Sequence, residues 1–408
     1  MNKTRNKFDE IFLTTEYFAN PYQCFNNWHE GNSHLFWSGK INAWVVTSYE
    51  AVANGLTNPE FNSSQRIATA SSHLSANEKE KYFDAIDVLE KWIVFQDPPS
   101  HTRLRKLVNK SFTPRTIAAI TPKIENLVDA LLLQINGKRR FNFVDEISFL
   151  LPATVICELL GIPEERQVDI RNWSEAIAGF SASAFPSAHD IENANKAVQD
   201  ADKYLTELFG ELKNNPNESL LSKLVNSPLE EDHLNNRELV ALTVQLFFAG
   251  FETTEGLLGN LLLALHRNPG ELEKLRNNPD SIPNAVEEGL RFDSSILKQS
   301  RVASKDLEFF GQEISKGDYL HFMIASANWD PSKFEHPESF LVDRKNIDHL
   351  SFGHGIHFCI GAPLARLESA ILIRKFLEKF PVFKVEDKDI KYPELLAIRK
   401  PRELWINT

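Results

Sequence analysis

Phe352-Gly353-His354-Gly355-Ile356-His357-Phe358-Cys359-Ile360-Gly361 places one cysteine at the end of a glycine-punctuated loop, and Leu364-Ala365-Arg366-Leu367-Glu368-Ser369-Ala370 follows with helical character. A thiolate at Cys359 would sit near a helix N-terminus, where free N–H groups and the helix dipole favour negative charge. The glycines let the backbone fold closely around a flat, bulky partner. That combination suits a single thiolate bound to a haem iron, the ligation that pushes electron density toward O–O cleavage. Three other readings compete. A buried, inert cysteine is the commonest fate of a free thiol, but it would not need this loop. A phosphate-cradling loop would want a preceding strand and a Lys-Ser/Thr ending or dinucleotide spacing, and neither is present. A cysteine nucleophile with His354 or His357 as its base stays open.

The 408 residues can bury a large core. Lys plus Arg is 45 and Asp plus Glu is 56, a formal charge of -11, which argues against a nucleic-acid or anionic-membrane partner. Cys24, Cys157 and Cys359 are odd in number and far apart, unlike a secreted disulfide framework. We expect Cys24 and Cys157 to serve as small apolar residues. The opening stretch, residues 1–9, lacks the apolar core of a signal peptide or membrane anchor. A cytoplasmic, soluble protein is expected.

No repeat, low-complexity tract or long Gly/Ser linker divides the sequence, so one domain over 1–408 is expected, mainly α with a small β region. Residues 35–47 alternate around Ser38-Gly39 and predict a β-hairpin. Residues 301–322, with Gly311 and Gly317 as turns, predict further short strands, and 393–406 a C-terminal hairpin. The longest helix is predicted over 236–266, between Asn235-Asn236 and Asn268-Pro269-Gly270, on the order of 45 Å long. Glu252 and Glu255 fall in its middle, where charge is expensive in lipid, so a helix buried in a soluble body is the better reading.

Within that helix Ala249-Gly250 is a weak spot, and the hydroxyl of Thr253 can reach back to the carbonyl of Ala249 and open a notch. A packing glycine followed by solvated polar residues is the plainer alternative.

The loop pattern Phe-Gly-x-Gly-x-His-x-Cys-x-Gly resembles the haem-binding signature of the cytochromes P-450, with every fixed position of the bacterial form filled. Further motifs in the same order extend the resemblance over roughly residues 90–370. Ala249-Gly250-Phe251-Glu252-Thr253 resembles the oxygen-activation element of the family's central helix, and implies catalytic roles for Glu252 and Thr253. Asp97-Pro98-Pro99-Ser100-His101 through Arg105 resembles the family's propionate-binding element, so His101 and Arg105, with Arg301 and His357, are implied contacts of the haem carboxylates. Cys359 is the implied axial ligand, and Phe352, Gly353, Gly361, Ala249 and Gly250 line the implied cofactor site. Glu288 and Arg291 match the family's Glu-x-x-Arg, and Arg344 is the candidate third member of that buried network. One departure stands out: Trp329 replaces the arginine often found in Ala-Asn-Arg-Asp-Pro.

The resemblance implies haem b as cofactor and a monooxygenase that activates dioxygen, most simply to hydroxylate a mainly apolar, medium-sized substrate. Desaturation, epoxidation or oxidative coupling on the same fold, a haem-based ligand sensor and a thiol hydrolase are the alternatives. No flavin or iron–sulfur motif appears, so electrons from NAD(P)H are expected through a separate ferredoxin or flavodoxin and its reductase. That partner is expected near Arg103, Lys106, Lys110 and Arg366. A monomer is expected. Candidate substrate-lining residues are Gln245, Phe248, Ile296, Leu297 and Leu396, with Phe180 and Phe185 in a mobile lid loop running from 180 to 186.

Overall fold

The computed structural model describes residues 9–31, 33–110, 112–227 and 234–408. The N-terminal stretch read for a leader lies almost wholly outside them. The described chain is mainly helical, and it forms two compact units: 1–61, 119–152 and 253–408 make the first, and 62–118 with 153–252 the second.

In the first unit, strands Leu35–Ser38, Ala43–Val46, Tyr319–Phe322 and Gln299–Ala303 lie side by side in that order. The hairpin of the first two pairs Leu35 with Val46, and Tyr319–Phe322 adds parallel to Ala43–Val46. One face carries Leu35, Trp37, Trp44, Val46, Leu320 and Phe322, packed with Leu56 and Phe61 into a dry core. Alternation within each strand sends these side chains to one face.

The C-terminal hairpin is not formed. Trp405–Asn407 instead pairs antiparallel with Arg140–Asn142 and with Lys384–Val385. These partners lie far away in sequence, so no local turn signal announces them. Arg140 reinforces the pairing, stacking 3.8 Å over the Trp405 ring and holding Glu386 at 2.8 Å.

The second unit is helical, and its longest pair is Gln167–Ser181 and Ala188–Asn214. Phe180 and Ser181 belong to the first of these helices and not to a loop, because Ser181 Oγ donates to Ile177 O at 2.9 Å and is tolerated inside the turn. The connection shrinks to 182–187. Ser187 closes it as an N-cap with Asp190, a capping box legible as Ser-x-x-Asp.

The long helix runs Asn236–Arg267. Asn235 starts it reciprocally: its side chain accepts from Glu238 N at 2.9 Å while Glu238 accepts from Asn235 N at 3.0 Å. His266 and Arg267 complement the dipole at its end. Residues 236–252 belong to the second unit and 253–267 to the first. Among the described residues no helix is long and apolar enough to cross a membrane.

Candidate functional site

Cys359 is half-buried, and its N–H donates to Phe352 O at 2.9 Å, closing the loop on itself. Gly353 and Gly355 adopt φ of +72° and +71°, a left-handed backbone that glycine enters without a Cβ penalty. Space is also short there: a Cβ at Gly353 would lie 2.9 Å from Gln299 Nε2, and one at Gly355 3.1 Å from Thr57 Cγ2. Gly361 caps the helix Ala362–Lys379, and Pro363 occupies its first turn. The thiol therefore stands two residues before the helix N-cap, where the dipole favours its anion.

Arg366, one turn into that helix, stacks 4.6 Å over the Phe352 ring and grips Glu287 with two bonds of 2.6 and 2.8 Å. His349 meets the same carboxylate at 3.2 Å. Burial opposes ionisation of Glu287, yet hydrogen bonds from Arg366 and His349 hold its pKa down at about 2.

Behind this loop lies a second network. Glu288 and Arg291 are fully buried, and Arg291 donates to both Glu288 oxygens at 2.8 Å. Arg344 Nε lies 3.0 Å from both oxygens of Glu288, so one carboxylate is shared by two guanidiniums. The remaining guanidinium N–H groups reach the carbonyls of Asn328, Pro337, Glu335, His336 and Ser339. From there Asn328 holds Leu350 N and Ser351 Oγ at 2.8 Å, immediately ahead of the cysteine loop. Trp329, the departure from the common pattern, donates from its indole to Phe292 O at 2.7 Å and stacks on Tyr22 at 4.3 Å.

Arg301 is buried in strand Gln299–Ala303 and donates to Ser300 O at 2.7 Å, while His357 is half-buried in the cysteine loop. Ile296 is half-buried, whereas Leu297 and Leu396 are core residues at 2% and 1% exposure.

In the second unit, His101 is buried and Arg105 half-buried one turn later on Ser100–Asn109. Asp97, just ahead, accepts from Ser63 N and Ser64 N at 2.9 Å and so fixes that helix start. Phe180 is buried and Phe185 is exposed at 60%. Gln245 Oε1 accepts from Ile93 N at 2.6 Å, and Phe248 packs 5.1 Å from the Trp92 ring. Gly250 is where Ile156 approaches: a Cβ would meet Ile156 Cγ1 at 2.7 Å, so the packing role weighed for this glycine is real.

Away from its ends, the helix Asn236–Arg267 is partly open only between Gln245 and Thr253, where Leu246 is also half-buried. Ala249 is exposed, Gln245, Phe248, Gly250 and Thr253 are half-buried, and Phe247, Phe251 and Glu252 are buried. Positions 245, 249 and 253 recur every fourth residue and share one face. Within the first unit, the Cys359 thiol in its glycine loop supplies the donor that a haem iron requires. Residues and haem therefore fit.

Cys24 and Cys157 are buried, and burial pushes their thiols up to about 11 and about 12, as small apolar residues would show. Of the basic candidates for partner docking, Arg103 is ion-paired with Glu238 and Arg366 with Glu287, while Lys106 and Lys110 are exposed. Sequence reasoning missed Glu287 and His349, and also the buried pairs Asp293–Arg399 and Glu255–Lys400, at 2.9 and 2.8 Å.

The family profile described as Cytochrome P450 matches residues 18–406. Cytochrome P450 107B1 of Saccharopolyspora erythraea is 37% identical over 84% of this chain and 82% of its own length. The biotin biosynthesis cytochrome P450 of Bacillus subtilis is 34% identical over 96% of this chain and 97% of its own. Among solved structures, P450BioI in complex with hexadec-9Z-enoic acid ligated acyl carrier protein superposes with a TM-score of 0.89 at 32% identity, covering 97% of this chain and all of that one.

Proposed function

The chain belongs to the cytochrome P450 family of haem-thiolate monooxygenases, and we propose that it hydroxylates a mainly apolar, medium-sized substrate with electrons from a separate redox partner. The single observation that carries this reading is Cys359 in its glycine loop at a helix start. The iron would be bound by the Cys359 sulfur, and the haem carboxylates by His101, Arg105, Arg301 and His357. When bound, the haem supplies the reductive activation of dioxygen.

The chain's own residues perform the rest. Thr253 would offer a hydroxyl to the bound group, and Glu252, next to it on the same turn, is a carboxyl able to hold and pass a proton. Ala249, small and exposed one turn before Thr253, would leave room for a bulky group beside that hydroxyl. Phe248, half-buried and 5.1 Å from the Trp92 ring, offers aromatic surface that suits an apolar guest. An acyl chain, free or attached to a carrier protein as in the solved relative, is the first substrate class to test. NAD(P)H is the proposed electron source, through a ferredoxin or flavodoxin. The chain is read as a cytoplasmic monomer folded as one domain.

The test uses purified protein with a surrogate ferredoxin, its reductase, NADPH and isotopically labelled dioxygen. A product carrying one labelled oxygen atom supports the reading. Thr253→Ala is expected to keep consuming NADPH while product per NADPH falls about tenfold or more. Unlabelled product, or a Thr253→Ala variant with unchanged coupling, contradicts it. If reduction by the partner were insensitive to ionic strength, docking through Lys106 and Lys110 would be ruled out.

A further inference from the structure

The segments around Ile296 and Leu396 are joined to each other and rest on the helix that carries Thr253. Leu297 N donates to Ala397 O at 2.9 Å, Arg399 N donates to Ser295 O at 2.9 Å, and Ile296 pairs antiparallel with Ile398. A ladder this short is weak by itself. Its anchors are charged and buried.

Lys400 Nζ donates to Glu255 Oε2 at 2.8 Å, with side chains 10% and 2% exposed. Arg399 Nε donates to Asp293 Oδ1 at 2.9 Å, and its two Nη atoms reach Phe18 O and Ala19 O at 3.0 and 3.2 Å. Asn260 Nδ2 spans the carbonyls of Asp293 and Arg399, each at 3.2 Å. Glycines set the spacing: a Cβ at Gly256 would lie 2.9 Å from both Arg399 O and Ser295 Cβ, and one at Gly259 2.8 Å from Pro401 Cγ. Both segments therefore lie directly against helix backbone, within two turns of Thr253.

A buried ion pair is an inefficient source of stability, because desolvation offsets most of the attraction. What it adds is register. Lys400 meets Glu255 at one alignment only, so a slip of 396–401 by one residue leaves two buried charges apart. The geometry assigns Glu255 and Lys400 as positioning residues that fix the height of 396–398 and 295–297 against the helix, and so select which part of a substrate reaches the reacting centre. This rests on the monooxygenase reading above.

The test uses haem-loaded protein and two iron-binding probes: imidazole, which needs little more than the iron, and 1-phenylimidazole, whose larger ring would, on this assignment, be sensitive to the height of these segments. In E255Q/K400M, which replaces the pair by neutral groups of similar volume, imidazole affinity is expected within about twofold of wild type. The 1-phenylimidazole affinity is expected to change about tenfold, and amide exchange at Leu297 and Arg399 to rise while that at Trp44 stays unchanged. Lys400→Arg, which keeps the charge, is expected to preserve the affinity ratio. Lys375→Gln, which cuts the remote Lys375–Asp129 pair, is expected to leave both readouts unmoved. An unchanged ratio in E255Q/K400M overturns the assignment, as does faster exchange throughout the sheet, which would mark a general stabilising role. Should the double variant not fold, Glu255→Gln carries the same readouts. A wild-type protein whose visible spectrum ignores imidazole would instead refute the haem-thiolate reading.

Discussion

Removing Arg344 tests the network that supports the cysteine loop. In Arg344→Met, Glu288 loses both 3.0 Å bonds from Nε but keeps Arg291 and the N–H of Leu341. The carbonyls of Glu335 and His336 also lose a donor, yet both residues are exposed and water can replace it. The dominant loss is thus partial compensation of a fully buried carboxylate, which places the cost near the lower end for a broken buried pair, about 3 kcal/mol. For 408 residues unfolding together this corresponds to a fall in Tm of about 3–4 °C. Arg344→Lys keeps the charge but not the planar fork that serves one carboxylate and three carbonyls, so it is expected to fall between. Arg291→Met removes donors to the buried Asn328 and Pro337 carbonyls as well, and is expected to cost more, about 5 kcal/mol. Thermal unfolding of the haem-loaded variants, with the visible band and far-ultraviolet dichroism followed together, measures all three. A Tm for Arg344→Met within 1 °C of wild type, or equal losses for Met and Lys, would refute the reasoning.

Two carboxyls give stability opposite pH dependences. Glu287 has a folded pKa of about 2 against an ordinary 4.5, so its contribution is complete above 4.5 and is lost as pH falls toward 2; Glu287→Gln is expected to flatten acid unfolding in that window. Glu368 is fully buried and burial lifts its pKa to about 8, so its contribution is complete below 4.5 and is lost as pH rises to 8; denaturant titrations of Glu368→Gln between pH 5 and 8 should show a shallower decline. Gly250→Ala drives a methyl to 2.7 Å from Ile156 Cγ1 and is expected to cost about 1–3 kcal/mol, with Ile156→Ala relieving the clash in a double-mutant cycle. Additive single effects would contradict that contact. Gly353→Ala meets both a left-handed backbone and Gln299, so weaker haem retention is expected, measured by transfer to apomyoglobin; retention equal to wild type would show the glycine to be dispensable.

What was legible in the sequence was local. The cysteine loop declares itself because its glycines, histidine and thiol are fixed by backbone conformation within ten residues. The long helix was readable from its Asn235 start and Asn268-Pro269 stop, and the hairpin at 35–47 from alternation. Spacing alone showed Glu288 and Arg291 as a pair three apart; their burial with Arg344 was implied only by the resemblance, since it depends on a segment reaching back. Distance in sequence hid the rest. Trp405–Asn407 pairs with Arg140–Asn142, and Lys400 with Glu255, through contacts that no window of neighbouring residues contains. The loop expected from residue 180 begins later for a different reason: Ser181 is tolerated in the helix because its hydroxyl bonds the preceding turn. Only the resemblance to the family singles out His101, Arg105, Arg301, His357 and Thr253, which periodicity alone does not.

The central claim is that the Cys359 sulfur is the protein ligand of a haem iron, and the visible spectrum of the reduced carbon monoxide complex tests it most directly. Wild type is expected to show the red-shifted Soret band of a thiolate-ligated haem, and Cys359→His to lose it while still binding haem through nitrogen. A Soret band identical in wild type and Cys359→His would contradict the account.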